Sequence, residues 1–388
     1  MGIIERLQTR SSSRVHFALL VGFAFLALRV LAHAEQTPFD LSQLKAPPGF
    51  HIAVFAREVD SARMMIFTPG GVLLVSESGE GKVVALPDPK HSGKAERTVT
   101  VLHDLNEPHG LAFYEGKLYV AENDKLRRYD WDEASLRATN PKTLTDLPTG
   151  GGHSTRSIVF HGGKMYVSAG SSCNACIEKD PRRATVMEFN PDGTGQKLFA
   201  KGLRNAVGLA VNPRTDTVWV TVNGRDWLGD DLPPETIYDL GKNGGDAGWP
   251  YCYGDRVPDS NFTKAGDDHC KNVLEPKVQM QAHSAPLGIA FYEGTQFPAE
   301  YRDNIFVAFH GSWNRSVPTG YKVVRVKLDD KGQPLGSAED FLTGWLAPGE
   351  MKKGRWMGRP VGIVFGGDAS MYLSDDSGGV IYKITYSK

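Results

Sequence analysis

The sequence predicts an all-β fold, a six-bladed β-propeller, and three observations carry that reading. A short unit of apolar strand, tight turn and returning apolar strand occurs six times along the chain. The middle residues of the returning strands are Leu74, Tyr119, Tyr166, Trp219, Phe306 and Tyr372, spaced by about 45 residues at first and by up to about 87 later. The composition is turn-rich, with 43 Gly and 23 Pro in 388 residues, which suits many short strands better than long helices. Self-similarity near 45 residues built from strands alone marks a propeller, because each blade buries its faces only against its neighbours. Six regular copies disfavour a β-sandwich.

The elements follow in order. Phe50 to Phe55 alternates like a half-buried strand. The first unit pairs Met65–Phe67 with Val72–Val75 across Pro69-Gly70-Gly71. The second pairs Gly110–Phe113 with Lys117–Val120 across Glu115-Gly116, and the third Ser157–Phe160 with Lys164–Ser168 across Gly162-Gly163. Consecutive glycines accept the positive φ values of a two-residue hairpin. The fourth pairs Gly208–Val211 with Thr217–Val220, the fifth Gly288–Phe291 with Asn304–Val307, and the sixth Gly362–Phe365 with Met371–Leu373. Each unit is followed by a further strand, such as Thr185–Phe189 or Val380–Ile384. Six units predict six blades, with Phe50–Phe55 completing the last and closing the ring. The longest interval, about 223–283, is rich in Gly, Asp, Pro and aromatics and is read as a loop insertion on the functional face.

The totals narrow the class. A formal net charge of −1 gives no electrostatic reason to expect nucleic acid. Arg6, Arg10 and Arg14 precede an apolar run from Phe17 to Leu28, and Ala32-His33-Ala34 forms a cleavage signal before Glu35. Residues 1–34 therefore read as a secretory signal peptide and 35–388 as one propeller domain. The run is short for a bilayer span and Arg29 interrupts it. The mature chain is expected to be periplasmic or secreted and not membrane-spanning. Four cysteines suit such an oxidising compartment. Cys252 and Cys270 bracket a loop and read as a disulfide. Cys173 and Cys176 read as a local disulfide sooner than a thiol-redox pair, and Ile177 after Cys176 excludes a haem-attachment signature.

Residues just ahead of the first strand of each unit are candidates for chemistry. They are Asn106 to His109, His153, Arg204-Asn205, His283 to Leu287, and Arg359. First strands of propeller blades converge on the axis, so these positions meet at one mouth of the channel. Arginines and histidines in one ring make an anion site with a possible general base.

Here a resemblance becomes specific. Gly202-Leu203-Arg204-Asn205-Ala206-Val207-Gly208-Leu209-Ala210 resembles the G-x-R-N-x-x-G-[LF]-A motif of the soluble quinoprotein glucose/sorbosone dehydrogenase family. Gly244 to Pro250 is similar to its G-x-N-Y-G-W-P segment, Ser284 to Gly288 to its A-P-S-G turn, and Gly358-Arg359-Pro360 to its late arginine. Gly170–Cys176 and His310–Arg315 resemble segments of the L-sorbosone dehydrogenase-like branch. The similarity runs from Pro47 to the C-terminus.

The resemblance implies pyrroloquinoline quinone (PQQ) and calcium at the mouth, oxidation of an aldose or related sugar, and electrons passed to a separate acceptor, a quinone or a cytochrome. It implies His153 as the base and Arg204 as a second catalytic group that also binds cofactor. Asn205 and Arg359 would bind cofactor, and backbone carbonyls of Gly224 and Arg225 would hold Ca²⁺, a hard ion suited to carbonyl oxygen. Where the family has an acidic partner for its histidine, this chain has Gly170-Ser171-Ser172. Where it has a cofactor-binding lysine, this chain has His310–Arg315, so Arg315 would supply the charge and Trp313 would stack on the cofactor. Asn106 stands near the family's blade-two glutamine. Two other readings are weighed. A metal-dependent lactonase-type propeller needs several carboxylates converging on one ion, and the ring holds Arg and His instead. A non-catalytic propeller binding carbohydrate or protein is compatible with the missing acidic partner.

Overall fold

The computed structural model describes residues 39–264, 268–346 and 355–388. The signal-like segment 1–34 lies outside the described residues. Among the described residues six blade sheets, five of four antiparallel strands and one with a short parallel fifth, stand in sequence order around an axis. The first strands are Ala62–Phe67, Gly110–Tyr114, Ile158–His161, Ala206–Asn212, Pro286–Phe291 and Pro360–Phe365, and they line a central cavity of about 480 Å³. Each expected hairpin is present, one or two residues longer than its apolar core in most blades. Among the described residues the helical elements are three short 3₁₀ turns, and no helix is long and apolar enough to cross a membrane.

Ring closure follows the expectation. Phe50–Arg57 pairs with Val380–Tyr386 as the outer strand of the sixth blade, Phe50 opposite Tyr386 and Val54 opposite Tyr382. Phe50 anchors the seam, with Phe297, Tyr301, Phe341 and Tyr386 edge-on at 4.8–5.1 Å, a favoured aromatic geometry.

The 223–283 interval is a correction. It is not an insertion alone, because Glu235–Asp239 and Val278–Met280 are the third and fourth strands of blade four. Gly245–Asp246 adds a parallel fifth strand to blade three, and Cys252–Tyr253 with Val257–Pro258 makes a small hairpin. Each blade needs four strands to cover its neighbours, and blade four draws two of them from this stretch. The apolar signal of Ile237 and Val278 is short and flanked by Pro and Gly, so it does not stand out in the sequence.

The blades are clasped near the axis by one repeated device. The first strands of blades one, four, five and six each carry a bulge, which takes a backbone N–H out of the ladder. In blades one, four and six a hydroxyl on the second strand accepts that N–H and donates its own proton to the next blade. Ser76 accepts Met64 N–H at 3.1 Å and donates to His109 O at 2.8 Å. Thr221 accepts Gly208 N–H at 2.9 Å and donates to Leu287 O at 2.7 Å. Ser374 accepts Gly362 N–H at 2.8 Å and donates to Arg63 O at 2.6 Å. All three hydroxyl residues are buried. The approach leaves no room for a side chain: a Cβ on Gly208 would lie 2.2 Å from Leu287 O. That is why the repeat opens on glycine.

Both disulfides are formed, Cys173–Cys176 and Cys252–Cys270. Intact-mass analysis of exported protein under non-reducing conditions should show four oxidised cysteines. Replacing Cys252 and Cys270 by Ser should lower unfolding stability by about 3 kcal/mol for a loop of this length. Thr221→Val should cost about 1–3 kcal/mol in denaturant unfolding, because it strands a buried carbonyl and a buried N–H.

Candidate active site

The starts of the first strands surround a cavity of about 580 Å³ at one mouth of the channel. Blade three contributes His153, blade four Arg204, Asn205 and Gly224, blade five His310 and Trp313, and blade six Arg359. The central cavity beyond the mouth is walled by backbone and by side chains such as Ile66, Leu209 and Ile363. It offers no comparable set of polar groups, so the mouth is the candidate site.

His153 is held for one protonation state. Its Nδ1 lies 2.9 Å from Ser171 O and 3.0 Å from Ser171 Oγ. A carbonyl can only accept, so Nδ1 carries the hydrogen and Nε2 keeps its lone pair. The Ser171 backbone thus supplies the orientation that an acidic partner would give. Burial pushes the imidazole down to about 4, Arg204 and then Arg183 and Arg156 add to the depression, and the Ser171 carbonyl opposes it. His153 is therefore neutral through the physiological range.

Arg204 is buried and fully engaged. Nε and Nη2 donate to Asn174 O and Oδ1 at 2.8 and 2.9 Å, Nη1 to Gly224 O at 2.6 Å, and Nη2 also to Asp226 at 3.0 Å. Arg359 donates to His310 O at 3.1 Å and Gly311 O at 2.7 Å. The two guanidinium groups are not bare charges facing each other, as a ring of strand-start residues suggests; each is matched by carbonyls or a carboxylate. Asn205 Nδ2 reaches Asn223 Oδ1 at 3.3 Å, while its own Oδ1 is buried with no partner.

Several sequence expectations are corrected. Asn106 does not line the cavity: it is exposed, its N–H tied to Glu122 Oε2 at 2.7 Å. His109 is buried between blades, with Nδ1 at 3.3 Å from both Arg156 O and Ser157 Oγ. Arg315 supplies no charge to the cavity, because its guanidinium is bonded to Asp230 O at 2.6 Å and faces Asp231 at 3.4 Å. Trp313 lines the cavity but is 67% exposed. The Arg225 side chain, which the calcium expectation does not involve, is paired with Asp259 at 2.5 Å. Gly224 O, one of the two carbonyls where the sequence reading put calcium, accepts from Arg204 Nη1 at 2.6 Å.

The structure also assembles groups that the sequence did not single out. Glu235 accepts Gly224 N–H at 2.7 Å and Ala285 N–H at 3.1 Å, and burial pushes its carboxyl up to about 7. His310 Nε2 lies 2.9 Å from Asp376 Oδ1, and Arg63 donates to Asp376 Oδ2 at 2.7 Å. Burial works against ionisation of Asp376, but His310 and Arg63 outweigh it and hold the carboxyl well below the usual range. Burial also pushes His310 down to about 4. Asn174 between the two cysteines is the one such residue with a local signal, because it sits inside the C-x-x-C motif.

With this geometry in place, comparison with known proteins is informative. A family model described as TrAA12-like matches residues 44–239 and 242–387. The chain belongs to the TrAA12-like family. Among relatives of this TrAA12-like chain, an uncharacterised protein of Borreliella burgdorferi is 30% identical over 390 residues, covering 95% of this chain and 97% of its own. A pyrroloquinoline quinone-dependent pyranose dehydrogenase of Coprinopsis cinerea is 26% identical over 405 residues, covering 88% of this chain and 54% of its own, so this chain spans about half that relative's length. A pyrroloquinoline quinone-dependent sugar dehydrogenase of Hypocrea jecorina is 25% identical over 408 residues, covering 88% and 89%. Two solved structures share the fold. They are a Trichoderma reesei family AA12 enzyme (TM-score 0.77, 24% identity, 89% of this chain and 98% of that one) and the holo PQQ domain of the Coprinopsis cinerea pyranose dehydrogenase (0.76, 23%, 91% and 99%).

The electrostatics of His153 can be checked without turnover. In the protein alone, NMR titration should find its imidazole neutral down to about pH 5 and protonated only near 4. Arg204→Ala removes the second cause of that depression, so the titration should move up toward the ordinary histidine range.

Proposed function

We propose that this TrAA12-like chain oxidises a sugar hydroxyl or hemiacetal with PQQ bound at the propeller mouth. The observation that carries the reading is the His153 lone pair, fixed by Ser171 and set beside Arg204 and Asn205 in one cavity. The residues fit the cofactor. The orphaned, buried Asn205 Oδ1 calls for a donor, and Arg63, Arg204 and Arg359 bring three guanidinium groups to the wall of a cavity that a tricarboxylate could enter. The names of the Coprinopsis and Hypocrea relatives support the same assignment.

When bound, PQQ supplies a two-electron acceptor for the hydride leaving the sugar carbon. The chain's own residues do the rest. His153 Nε2 accepts the hydroxyl proton, and the backbone carbonyl of Ser171 steadies the imidazolium that forms. Arg204, Asn205 and Arg359 hold the cofactor. Asp226 keeps Arg204 in place, and the His310–Asp376–Arg63 cluster backs the loop to which Arg359 is bonded. Electrons then pass to a separate quinone or cytochrome. The signal-like N-terminus and the two disulfides support an exported, periplasmic or secreted protein.

His153, His283 and His310 all line the cavity, and the carboxylate partner of His310 makes it the group to compare with His153. His153→Ala should lower turnover by roughly 10²–10⁴-fold, the usual weight of a general base, with PQQ affinity nearly unchanged. A larger loss in His310→Ala than in His153→Ala would move the base to His310. Arg359→Ala should weaken PQQ binding by roughly 10- to 150-fold, the range for a charge-assisted hydrogen bond, read by calorimetry. Dye reduction with PQQ and a panel of sugars tests the whole reading. A wild-type protein that binds no PQQ would overturn it and leave a carbohydrate- or protein-binding propeller.

A further inference from the structure

Two indoles stand at the mouth: Trp227, to which the cofactor reading gives no task, and Trp313, which the sequence reading stacked on the cofactor. Trp227 and Trp313 both line the cavity and are each 67% exposed. Their ring centroids are 5.2 Å apart and their planes stand at 86°, so the indoles form a right-angled corner open to solvent. Exposed indoles are a poor use of the largest apolar side chain unless something covers them.

The corner is built and held. Trp227 has φ 71°, a left-handed backbone that a bulky residue adopts only where its surroundings enforce it. Those surroundings centre on Asp226. Its carboxylate accepts from Arg204 at 3.0 Å and from Asn314 Nδ2 at 2.8 Å. Its N–H donates to Asn174 Oδ1 at 2.7 Å, and its C=O accepts from Asn174 Nδ2 at 3.2 Å. The residue before Trp227 is thus tied directly to the residue after Trp313. Asn174 lies within the loop closed by Cys173–Cys176. A strained, braced and exposed aromatic pair at the edge of a cavity is a preorganised binding surface.

We propose that the Trp227–Trp313 corner is a carbohydrate subsite: one indole takes the C–H face of a pyranose ring and the other bounds its edge. The proposal rests on the sugar-oxidation reading and adds the shape of the substrate. The perpendicular planes leave a flat face the size of one ring, so a fused polycyclic quinone cannot lie over both indoles. The surrounding groups, Asn174, Asp226 and Asn314, are polar and suit the ring's hydroxyl edge. A protein partner would need a broader apolar face than two side chains in a concave, polar mouth.

The test separates this inference from the cofactor reading by starting with protein free of PQQ. Intrinsic tryptophan fluorescence is followed while D-glucose and then cellobiose are added. A saturable change is expected, reduced in Trp227→Ala and in Trp313→Ala and partly restored by Phe at either position. In the PQQ-loaded protein, each alanine variant should raise the sugar KM roughly 5- to 10-fold, the weight of one aromatic contact. The kcat should shift much less, and calorimetric PQQ affinity should stay as in wild type. Weakened PQQ binding with an unaltered sugar KM would overturn the proposal and give the indoles to the cofactor. A raised KM for the electron acceptor alone would overturn it in favour of an acceptor-docking face. No fluorescence response and an unaltered sugar KM would also overturn it. If wild type turns over no sugar at all, the oxidation reading fails, and the fluorescence titration still decides the subsite.

Discussion

The hydroxyl clasp between neighbouring blades is the contact on which the site depends. Ser76, Thr221 and Ser374 each take a backbone N–H freed by a bulge and return a proton to the carbonyl of the next blade. These are buried groups, and a missing partner would leave a carbonyl unsatisfied at full desolvation cost. The clasp therefore sets the separation of adjacent blades near the axis. The residues just before the first strands, with those just after the second strands, line the mouth. Arg63 shows the coupling most directly: its carbonyl is clasped by Ser374 while its guanidinium holds Asp376 at the cavity.

A second layer of order comes from matching buried charge. Arg204 lies within reach of two carbonyl groups, an amide and a carboxylate, and Arg359 of two carbonyls. Buried guanidinium groups without such partners would be costly. The pattern reconciles an anion-binding wall with a stable apo fold, because each cation is held in place before any ligand arrives. It also lowers the basicity of His153, which stays neutral among three arginines. A neutral imidazole with one nitrogen committed to a carbonyl is the state that proton abstraction requires. The backbone of Ser171 does this without a carboxylate, so losing the acidic partner seen in the resembling family does not disarm the histidine.

Much of the molecule is legible in the chain, and the limits are physical. The hairpin count, the closing strand Phe50–Phe55 and the glycines that open four of the copies are local patterns, so each can be read without knowing its neighbours. Arg204, Asn205, His153 and Arg359 were found for the same reason: their place ahead of a first strand is itself local. Asn106 holds a comparable place and is exposed, while Arg315 follows the second strand of blade five and is bound to the facing loop. The Asn106 backbone N–H is tied to the Glu122 carboxylate and the Arg315 guanidinium to the Asp230 backbone carbonyl, contacts that no spacing reveals. Glu235 was missed because its strand was short and buried in a stretch that read as loop.

From the chain alone come the number of blades, the strand that seals the ring, the cysteine pairs and the family-like order of motifs, because all of these are encoded over short spans. Tertiary structure decides the chemistry of the mouth. Arg63 and Asp376 are 313 residues apart, and only closure of the ring brings them together beside His310. Asn174, Asp226 and Asn314 come from three blades and meet as one brace under two tryptophans. Such contacts join distant parts of the chain, and their energies depend on burial and on the exact partner available, neither of which a linear sequence specifies.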